Sequence, residues 1–127
     1  FQVDRPVWIY CATHNPEKQR ALEAAGASVM CMPDDHHKVD LQAMLHDLGQ
    51  RGINELHVEA GHKLNGSLLK GNCVDEVLAY IAPLILGVGR GMTHMGPLQV
   101  LGDALPMAFH QVTQIGPDLR ILARMRG

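Results

Sequence analysis

Short apolar runs alternate with helical patterns from Val7 to Ala82, and this alternation constrains the fold more than any other feature of the chain. Each apolar run has the length of a buried strand, and the segment that follows has the spacing of an amphipathic helix. Repeated strand–helix alternation predicts a three-layer α/β fold in which mostly parallel strands are joined by right-handed crossovers. The predicted strands are residues 7–12, 28–32, 56–58 and 75–82.

The first two predicted helices carry clear start signals. Asn15 and Pro16 supply an N-cap and a proline at the first helical position, and Gly26 is predicted to end this helix. Asp40 is placed to cap the second helix. The apolar face of that second helix is predicted to contain Leu41, Met44, Leu45 and Leu48.

The pattern changes after Pro83. Residues 84–105 are irregular and rich in glycine, and they contain no clear helix or strand period. Residues 107–115 and 119–124 read as two strands around Gly116-Pro117-Asp118, which is a turn sequence. This pattern predicts an antiparallel hairpin at the C-terminal side of the sheet.

Residues 53–71 combine a predicted strand, a tight turn at Glu59-Ala60-Gly61 and a helix over residues 62–70. No Ser, Thr, Asp or Asn occupies the expected N-cap, so the first amides of this helix lack a side-chain partner. Lys63 and any protonated His62 oppose the helix dipole by roughly 0.3–1 kcal/mol each. Either an anion such as a phosphate binds at this turn, or water solvates the amides and the basic side chains point outward. Gly71 is placed as the C-cap glycine.

The composition is that of an ordinary globular protein, with 46% apolar and 19% charged residues in a chain of 127. A net charge of −2 with neutral histidines does not indicate a nucleic-acid partner, and no apolar run reaches the roughly 20 residues of a membrane helix. Cys11, Cys31 and Cys73 are far apart and form no CxxC pair, so neither a zinc site nor a disulfide framework is indicated. We therefore expect reduced, buried thiols in a cytoplasmic protein that has no membrane association.

An ordered set of short motifs resembles the reductase domain of the bifunctional riboflavin-biosynthesis deaminase/reductase. A single turn of this kind is weak support, whereas the whole set in this order is specific. The matching motifs are Val58-Glu59-Ala60-Gly61 followed by Leu64, Gly66 and Leu68, then Val74-Asp75-Glu76, Tyr80-Ile81-Ala82-Pro83, Leu86-Gly87, Arg90-Gly91 and Gly116-Pro117-Asp118.

The resemblance implies a dihydrofolate-reductase-like α/β/α fold and a reductase that uses NADPH. Its implied reaction reduces the ribose of 5-amino-6-(5-phosphoribosylamino)uracil to the ribityl chain. Glu59 matches the family's substrate-contacting glutamate. The segment implied at the diphosphate of NADPH consists of Gly61, His62, Lys63, Leu64, Asn65, Gly66 and Ser67. Because the nicotinamide carries the hydride, we assign no acid, base or nucleophile to this chain.

The chain departs from the family in two ways. Many members have two glycines after the glutamate, whereas here the first is Ala60, which is tolerated unless that position requires a positive φ. The chain also lacks the family's N-terminal strands and its zinc-dependent deaminase motifs, H-x-E and P-C-x-x-C. We therefore expect residues 1–127 to be the C-terminal part of a longer protein, inactive alone and prone to form homo-oligomers through exposed apolar sheet surface.

Two other functions remain open at this point. The chain is alternatively a non-catalytic module for nucleotide binding or dimerisation, or part of another dihydrofolate-reductase-like enzyme. Without the resemblance, the position of Glu59 favours a solvated loop carboxylate. Arg90 is equally consistent with a phosphate contact and with a surface ion pair. Four histidines at spacings that fit no zinc signature are expected to be solvated, so no metal is predicted: His14, His36, His37 and His46.

Overall fold

The computed structural model describes residues 5–126, so the two ends of the predicted domain 1–127 lie outside the described residues. The chain forms two units, one ending at His57 and the other beginning at Val58. The elements of the first unit are β1 (Val7–Cys11), α1 (Pro16–Ala24), β2 (Ala27–Cys31) and α2 (Leu41–Gln50). Those of the second unit are α3 (His62–Lys70), β3 (Glu76–Ile81), a short 3₁₀ turn (Leu101–Asp103), β4 (Met107–Ile115) and β5 (Asp118–Met125).

In the first unit, β1 and β2 form a parallel pair, as the alternation predicts. Val7 lies opposite Ala27 at one end of the pair, and Cys11 lies opposite Cys31 at the other. Both helix starts are also confirmed. The Asn15 side chain accepts a hydrogen bond from the Lys18 amide at 3.0 Å, and the Asp40 side chain accepts one from the Ala43 amide at 2.9 Å.

The side chains of the first unit are joined chiefly around α2. The Tyr10 hydroxyl donates a hydrogen bond to Asp47 at 2.6 Å, and Arg51 forms an ion pair with the same carboxylate at 2.6 Å. The guanidinium of Arg51 also lies 5.3 Å from the centre of the Trp8 ring, which is a cation–π contact. These contacts connect β1 to the C-terminal half of α2.

In the second unit, the three strands form an antiparallel sheet in the order β3-β5-β4. The predicted hairpin is confirmed, and Ile115 pairs with Asp118 across the two-residue turn Gly116-Pro117. Gly116 has a φ of 57°, as the first position of a type II′ turn requires, and Pro117 fits the negative φ of the second. A bulge between Phe109 and Gln111 interrupts the ladder in β4.

Two of the strand predictions need correction. Residues 56–58 carry no strand pairing among the described residues, and the Leu56 and Val58 side chains remain 44% and 41% exposed. The fourth predicted strand exists as β3, but it pairs antiparallel with β5. Apolar periodicity identifies a strand without fixing the direction of its partner, and a three-residue run is too short to decide between strand and extended loop.

The end of α3 is confirmed, because the helix ends at Lys70 and Gly71 is its C-cap residue. Gly71 has a φ of −78°, and the left-handed residue is Asn72, with a φ of 53°. The Cys73 amide donates to Leu68 O at 2.9 Å and the Asn72 amide donates to Leu69 O at 3.1 Å, which is the Schellman arrangement. Asparagine tolerates this conformation better than other residues with a β-carbon, so the left-handed position can lie one residue after the C-cap glycine.

Burial is limited in both units. Leu48, Leu68 and Ala123 are the most buried apolar residues among those described, whereas Ile85 and Val88 are fully exposed. The expectation of buried thiols is wrong, because Cys31 is exposed and the other two cysteines are half-buried. Within residues 5–126, no helix is long and apolar enough to cross a membrane.

Candidate functional site

The start of α3 is the candidate site, and its lack of a side-chain cap is confirmed. Gly61 occupies the N-cap with φ −74° and ψ 164°, and no side chain among the described residues caps the helix. A Cβ built on Gly61 would meet no described heavy atom within 4 Å, so the space beside this backbone is open. The Gly61 carbonyl accepts the first intrahelical bond, from the Asn65 amide at 3.1 Å. The amides that precede Asn65 in α3 therefore point away from the helix without an intrahelical acceptor.

Ala60 is compatible with the turn. Outside glycine, the described residues with a positive φ are His37 and Asn72, so the position of Ala60 does not require one. The methyl group that distinguishes this chain from the two-glycine pattern therefore causes no backbone strain.

Asn65 links the turn to a second segment that the sequence reasoning missed, Met92 to His94. The Asn65 side-chain amide donates to Ala60 O at 3.3 Å and to Met92 O at 3.0 Å. The His94 amide donates to His62 O at 2.8 Å, and the two imidazole rings lie edge to face with centroids 5.7 Å apart. The helix start is therefore held between the turn on one side and residues 92–94 on the other.

Gly66 is the position that permits this close approach. It is buried, and a Cβ built there would lie 2.2 Å from His94 O and 2.7 Å from His94 C. Both contacts are with backbone, which has little room to move. A glycine inside a helix costs roughly 0.5–1 kcal/mol relative to alanine. A glycine inside the α3 pattern is consistent with a close packing neighbour, but it does not identify which segment that neighbour belongs to.

The remaining predicted site residues lie along the same helix start. Lys63 and Leu64 are exposed, and the Ser67 hydroxyl donates to Lys63 O at 3.1 Å, so its proton is turned toward the helix backbone. Glu59 precedes the helix and is also exposed. The structure thus gathers the predicted cofactor residues at one helix start, with the Glu59 backbone two residues before the N-cap.

Other candidate residues lie away from this helix start in sequence and make local contacts. Asp34 Oδ1 accepts the His36 and Lys38 amides, both at 2.8 Å, and these bonds hold the pKa of Asp34 below its usual value. His46 lies 2.9 Å from the Gln50 side-chain nitrogen. Arg90 lies in the irregular stretch after β3 and is exposed. The part of the chain that the structure describes contains no group of three or more His, Cys, Asp or Glu side chains placed to hold a metal ion.

Comparison with known proteins places these features in a family. The family model described as the RibD C-terminal domain matches residues 1–121. The riboflavin biosynthesis protein RibD of Bacillus amyloliquefaciens is 31% identical over 121 residues, which cover 93% of this chain and 32% of that protein. The protein of the same name from Escherichia coli K12 is 37% identical over 91 residues, which cover 71% of this chain and 25% of that protein. The chain therefore spans between a quarter and a third of these two relatives.

The fold of the chain also resembles that of a solved structure. Acinetobacter baumannii RibD, form 2, matches with a TM-score of 0.80 and 22% identity, covering 94% of this chain and 31% of that chain. At this identity the likeness shows the fold alone. The α/β, dihydrofolate-reductase-like class predicted from the sequence is confirmed.

Proposed function

The chain belongs to the RibD C-terminal domain family, and on this premise we propose that it forms part of an NADPH-dependent reductase of riboflavin biosynthesis. The complete enzyme would reduce 5-amino-6-(5-phosphoribosylamino)uracil to its ribitylamino product, within a longer bifunctional deaminase/reductase. One relative, from Buchnera aphidicola, is named 5-amino-6-(5-phosphoribosylamino)uracil reductase and is 34% identical over 90 residues, which cover 70% of this chain and 44% of that protein. That name supports the proposed reaction class.

The uncapped start of α3 is the observation that carries the proposal of a cofactor site. Open space beside Gly61 admits an anion close to the backbone, and the first amides of the helix are oriented toward it as donors. Lys63 adds positive charge in the same turn. We propose that Gly61, His62, Lys63, Leu64, Asn65, Gly66 and Ser67 form the segment at the diphosphate of NADPH. The nicotinamide supplies the hydride when it is bound, and this segment orients the other end of the cofactor.

Glu59 is proposed as a substrate contact rather than as an acid or base. Its exposed carboxylate precedes the N-cap by two residues, which places it beside the proposed diphosphate segment in sequence. A carboxylate accepts hydrogen bonds from sugar hydroxyls, and the ribosyl or ribityl chain of the substrate offers several. On this proposal, Glu59→Gln spares NADPH affinity and weakens substrate binding or turnover.

The proposed cofactor site is tested by two substitutions at Gly61 in the complete reductase that contains this chain. Gly61→Asp places a capping carboxylate in the open space, whereas Gly61→Asn places a neutral cap of the same shape there. Both stabilise the helix by a few tenths of a kcal/mol. Only the aspartate also repels a phosphate, and we expect it to weaken NADPH binding by about 1–3 kcal/mol more than the asparagine does.

Fluorescence titration with NADPH measures this difference, and Gly61→Val adds a purely steric comparison. We expect the valine variant to lose about 1–3 kcal/mol of NADPH affinity, because its side chain enters the proposed phosphate position. If the aspartate and valine variants remain folded and bind NADPH like the wild type, the diphosphate site lies elsewhere.

A second candidate function follows from the share of the relatives that the chain covers. A segment spanning 25% to 32% of these relatives is large enough to bind a nucleotide or to mediate dimerisation without completing a substrate site. On that alternative, the 127 residues bind NADPH without turnover, and the protein that contains them also has no reductase activity. An assay of that complete protein with NADPH and the deaminated pyrimidine separates the two.

We also propose that the protein is a cytoplasmic homo-oligomer. Tyr80 and Ile81 on β3 are 60% and 52% exposed, and Phe109 on β4 is 76% exposed. Both strands have one side without a ladder partner among residues 5–126, and apolar strands of this kind favour association. A strictly monomeric species in sedimentation at high concentration would contradict the oligomer.

A further inference from the structure

The last residues of the parallel pair bring two cysteines together. Cys11 ends β1, Cys31 ends β2, and the register places them directly opposite each other. Side chains at paired positions of adjacent strands share one face of the sheet. Neighbouring strands lie about 4.7–4.9 Å apart, and a disulfide joins residues whose Cα atoms are roughly 4.4–6.8 Å apart. The spacing of paired strands therefore falls within the Cα range of a disulfide.

Both sulfurs are free thiols, and one is open to solvent. Cys31 is exposed and Cys11 is half-buried. Partial desolvation and, next, a hydrogen bond with the Cys11 thiol raise the pKa of the Cys31 thiol above its usual value. The strand register places the two thiols side by side in the reduced protein. A reagent from solvent reaches Cys31 first, and Cys11 then lies within reach of the modified sulfur.

We propose that Cys11 and Cys31 form a reversible dithiol–disulfide site whose oxidant is a small-molecule disulfide. The Cys31 thiolate attacks one sulfur of the reagent, forms a mixed disulfide and releases the first thiolate. The Cys11 thiolate then attacks the Cys31 sulfur, closes the protein disulfide and releases the second thiolate. The two protein thiols lose two electrons and two protons, and the reagent gains them as two thiols.

A Cys11–Cys31 disulfide would link the C-terminal ends of β1 and β2, where the chain leaves the sheet in two loops. The Met32 amide already donates to Cys11 O at 2.8 Å, so the backbone pairing continues one residue past the cysteines. The segment after Cys11 leads to the Asn15 cap of α1, and the segment after Cys31 leads to the Asp40 cap of α2. The site lies within the first unit and does not depend on the proposed reductase function.

The test begins with the folded wild-type chain and oxidised glutathione at mildly alkaline pH. After an acid quench and alkylation of the remaining thiols, mass spectrometry should show a single alkyl group per chain, a mass two hydrogen atoms below that of the singly alkylated reduced chain, and no glutathione adduct. Peptide mapping should link the Cys11 peptide to the Cys31 peptide and find Cys73 alkylated. Dithiothreitol should restore all three thiols. Stable glutathione adducts at Cys11 and Cys31 without a cross-link in the folded chain would overturn the proposal.

Cys73 offers the matched control, because it belongs to the second unit and its thiol donates to Gly71 O at 3.3 Å. Cys73→Ser should form the same cross-link at the same rate as the wild type. Cys31→Ser should form no intramolecular bond and accept at most a mixed disulfide at Cys11. Phenylarsine oxide, which bridges adjacent thiols, should protect Cys11 and Cys31 together at one equivalent per chain. Cross-links to Cys73 that are as frequent in the folded chain as in urea would equally refute a preformed pair.

Discussion

The helices of the two units begin in opposite ways. In the first unit, α1 and α2 each begin with a side chain that accepts a backbone amide, from Asn15 and from Asp40. In the second unit, α3 begins at Gly61 without a side-chain cap among the described residues. Helix ends leave polar groups that require partners. The first unit satisfies its helix starts with its own side chains, whereas the first amides of α3 have no side-chain cap among the described residues.

The supporting contacts follow the same division. Around α2, the Asp47 carboxylate binds Tyr10 and Arg51, so an ionised group joins the elements of the first unit. Around α3, backbone amides and the neutral Asn65 side chain make the contacts to residues 92–94. We therefore expect the stability of the first unit to change when a charged group is removed. We expect the stability of the α3 start to change when side-chain volume is added.

Adding a methyl group at Gly66 should have the largest effect. Its Cβ would fall 2.2 Å from His94 O, and overpacking against backbone costs about 1–3 kcal/mol of unfolding free energy. Gly49 in α2 is the matched control, because a Cβ there meets no described heavy atom within 4 Å and Gly49→Ala should stabilise the protein by about 0.5–1 kcal/mol. Urea unfolding measures both variants. A Gly66→Ala variant as stable as the wild type would show that residues 92–94 do not pack tightly on α3.

Removing a cap from the first unit should cost less. Asp40→Ala deletes the acceptor of the Ala43 amide and should lower the unfolding free energy by about 1 kcal/mol. Gly61→Asn adds a cap to α3 and should raise the unfolding free energy by a few tenths of a kcal/mol. If neither substitution shifted the unfolding transition in the expected direction, the contrast between the two helix starts would be refuted. Thermal unfolding followed by circular dichroism compares them under one set of conditions.

Acid should lower the unfolding free energy of the first unit by protonating the Asp47 carboxylate. Its hydrogen bonds with Arg51, first, and Tyr10, second, lower the pKa of the Asp47 carboxyl below its usual value. A lowered pKa stabilises the folded state above the unfolded pKa of about 3.9, and this contribution is lost as the pH falls through the folded pKa. Asp47→Asn should therefore flatten the stability profile below about pH 4. The test is a series of urea midpoints across acid pH, and parallel profiles for variant and wild type would contradict it.

The smallest effect is expected from the ion pair in the second unit. Arg124 and Glu76 lie 2.8 Å apart across β5 and β3, with side chains 52% and 42% exposed. Exposed pairs contribute about 0.2–1 kcal/mol and weaken with salt. Glu76→Gln should therefore change the unfolding free energy by less than Asp40→Ala does, and less again at high salt. A loss above that range, independent of salt, would indicate that this unit depends on charge as the first one does.

The features that the sequence predicted correctly depend on residues that are close together in the chain. The caps at Asn15 and Asp40 and the Gly116-Pro117 turn follow from short-range chemistry, and the structure confirms them. The uncapped start at Gly61 was predicted for the same reason, because a missing side chain is visible in the sequence.

What could not be predicted depends on contacts between distant residues. The antiparallel partner of β3 and the approach of His94 to Gly66 are set by chain paths that no local pattern encodes. The pairing of Cys11 with Cys31 likewise requires the register of two strands, so spacing alone suggested that no bridge was indicated. The roles of Glu59 and of residues 61–67 stay predictions until the variants are measured.

The position of β5 in the sheet also determines when the second unit can fold during synthesis. β5 is the central strand of its sheet, yet it follows both of its partners in the chain, and Glu76 meets Arg124 across a separation of 48 residues. A ribosome that adds about 5–20 residues per second exposes β3 for roughly 2–10 s before its partner is synthesised. During that interval Leu78, Tyr80 and Ile81 lack their ladder partners in β5. The nascent chain therefore presents an apolar strand to chaperones until the last strand emerges.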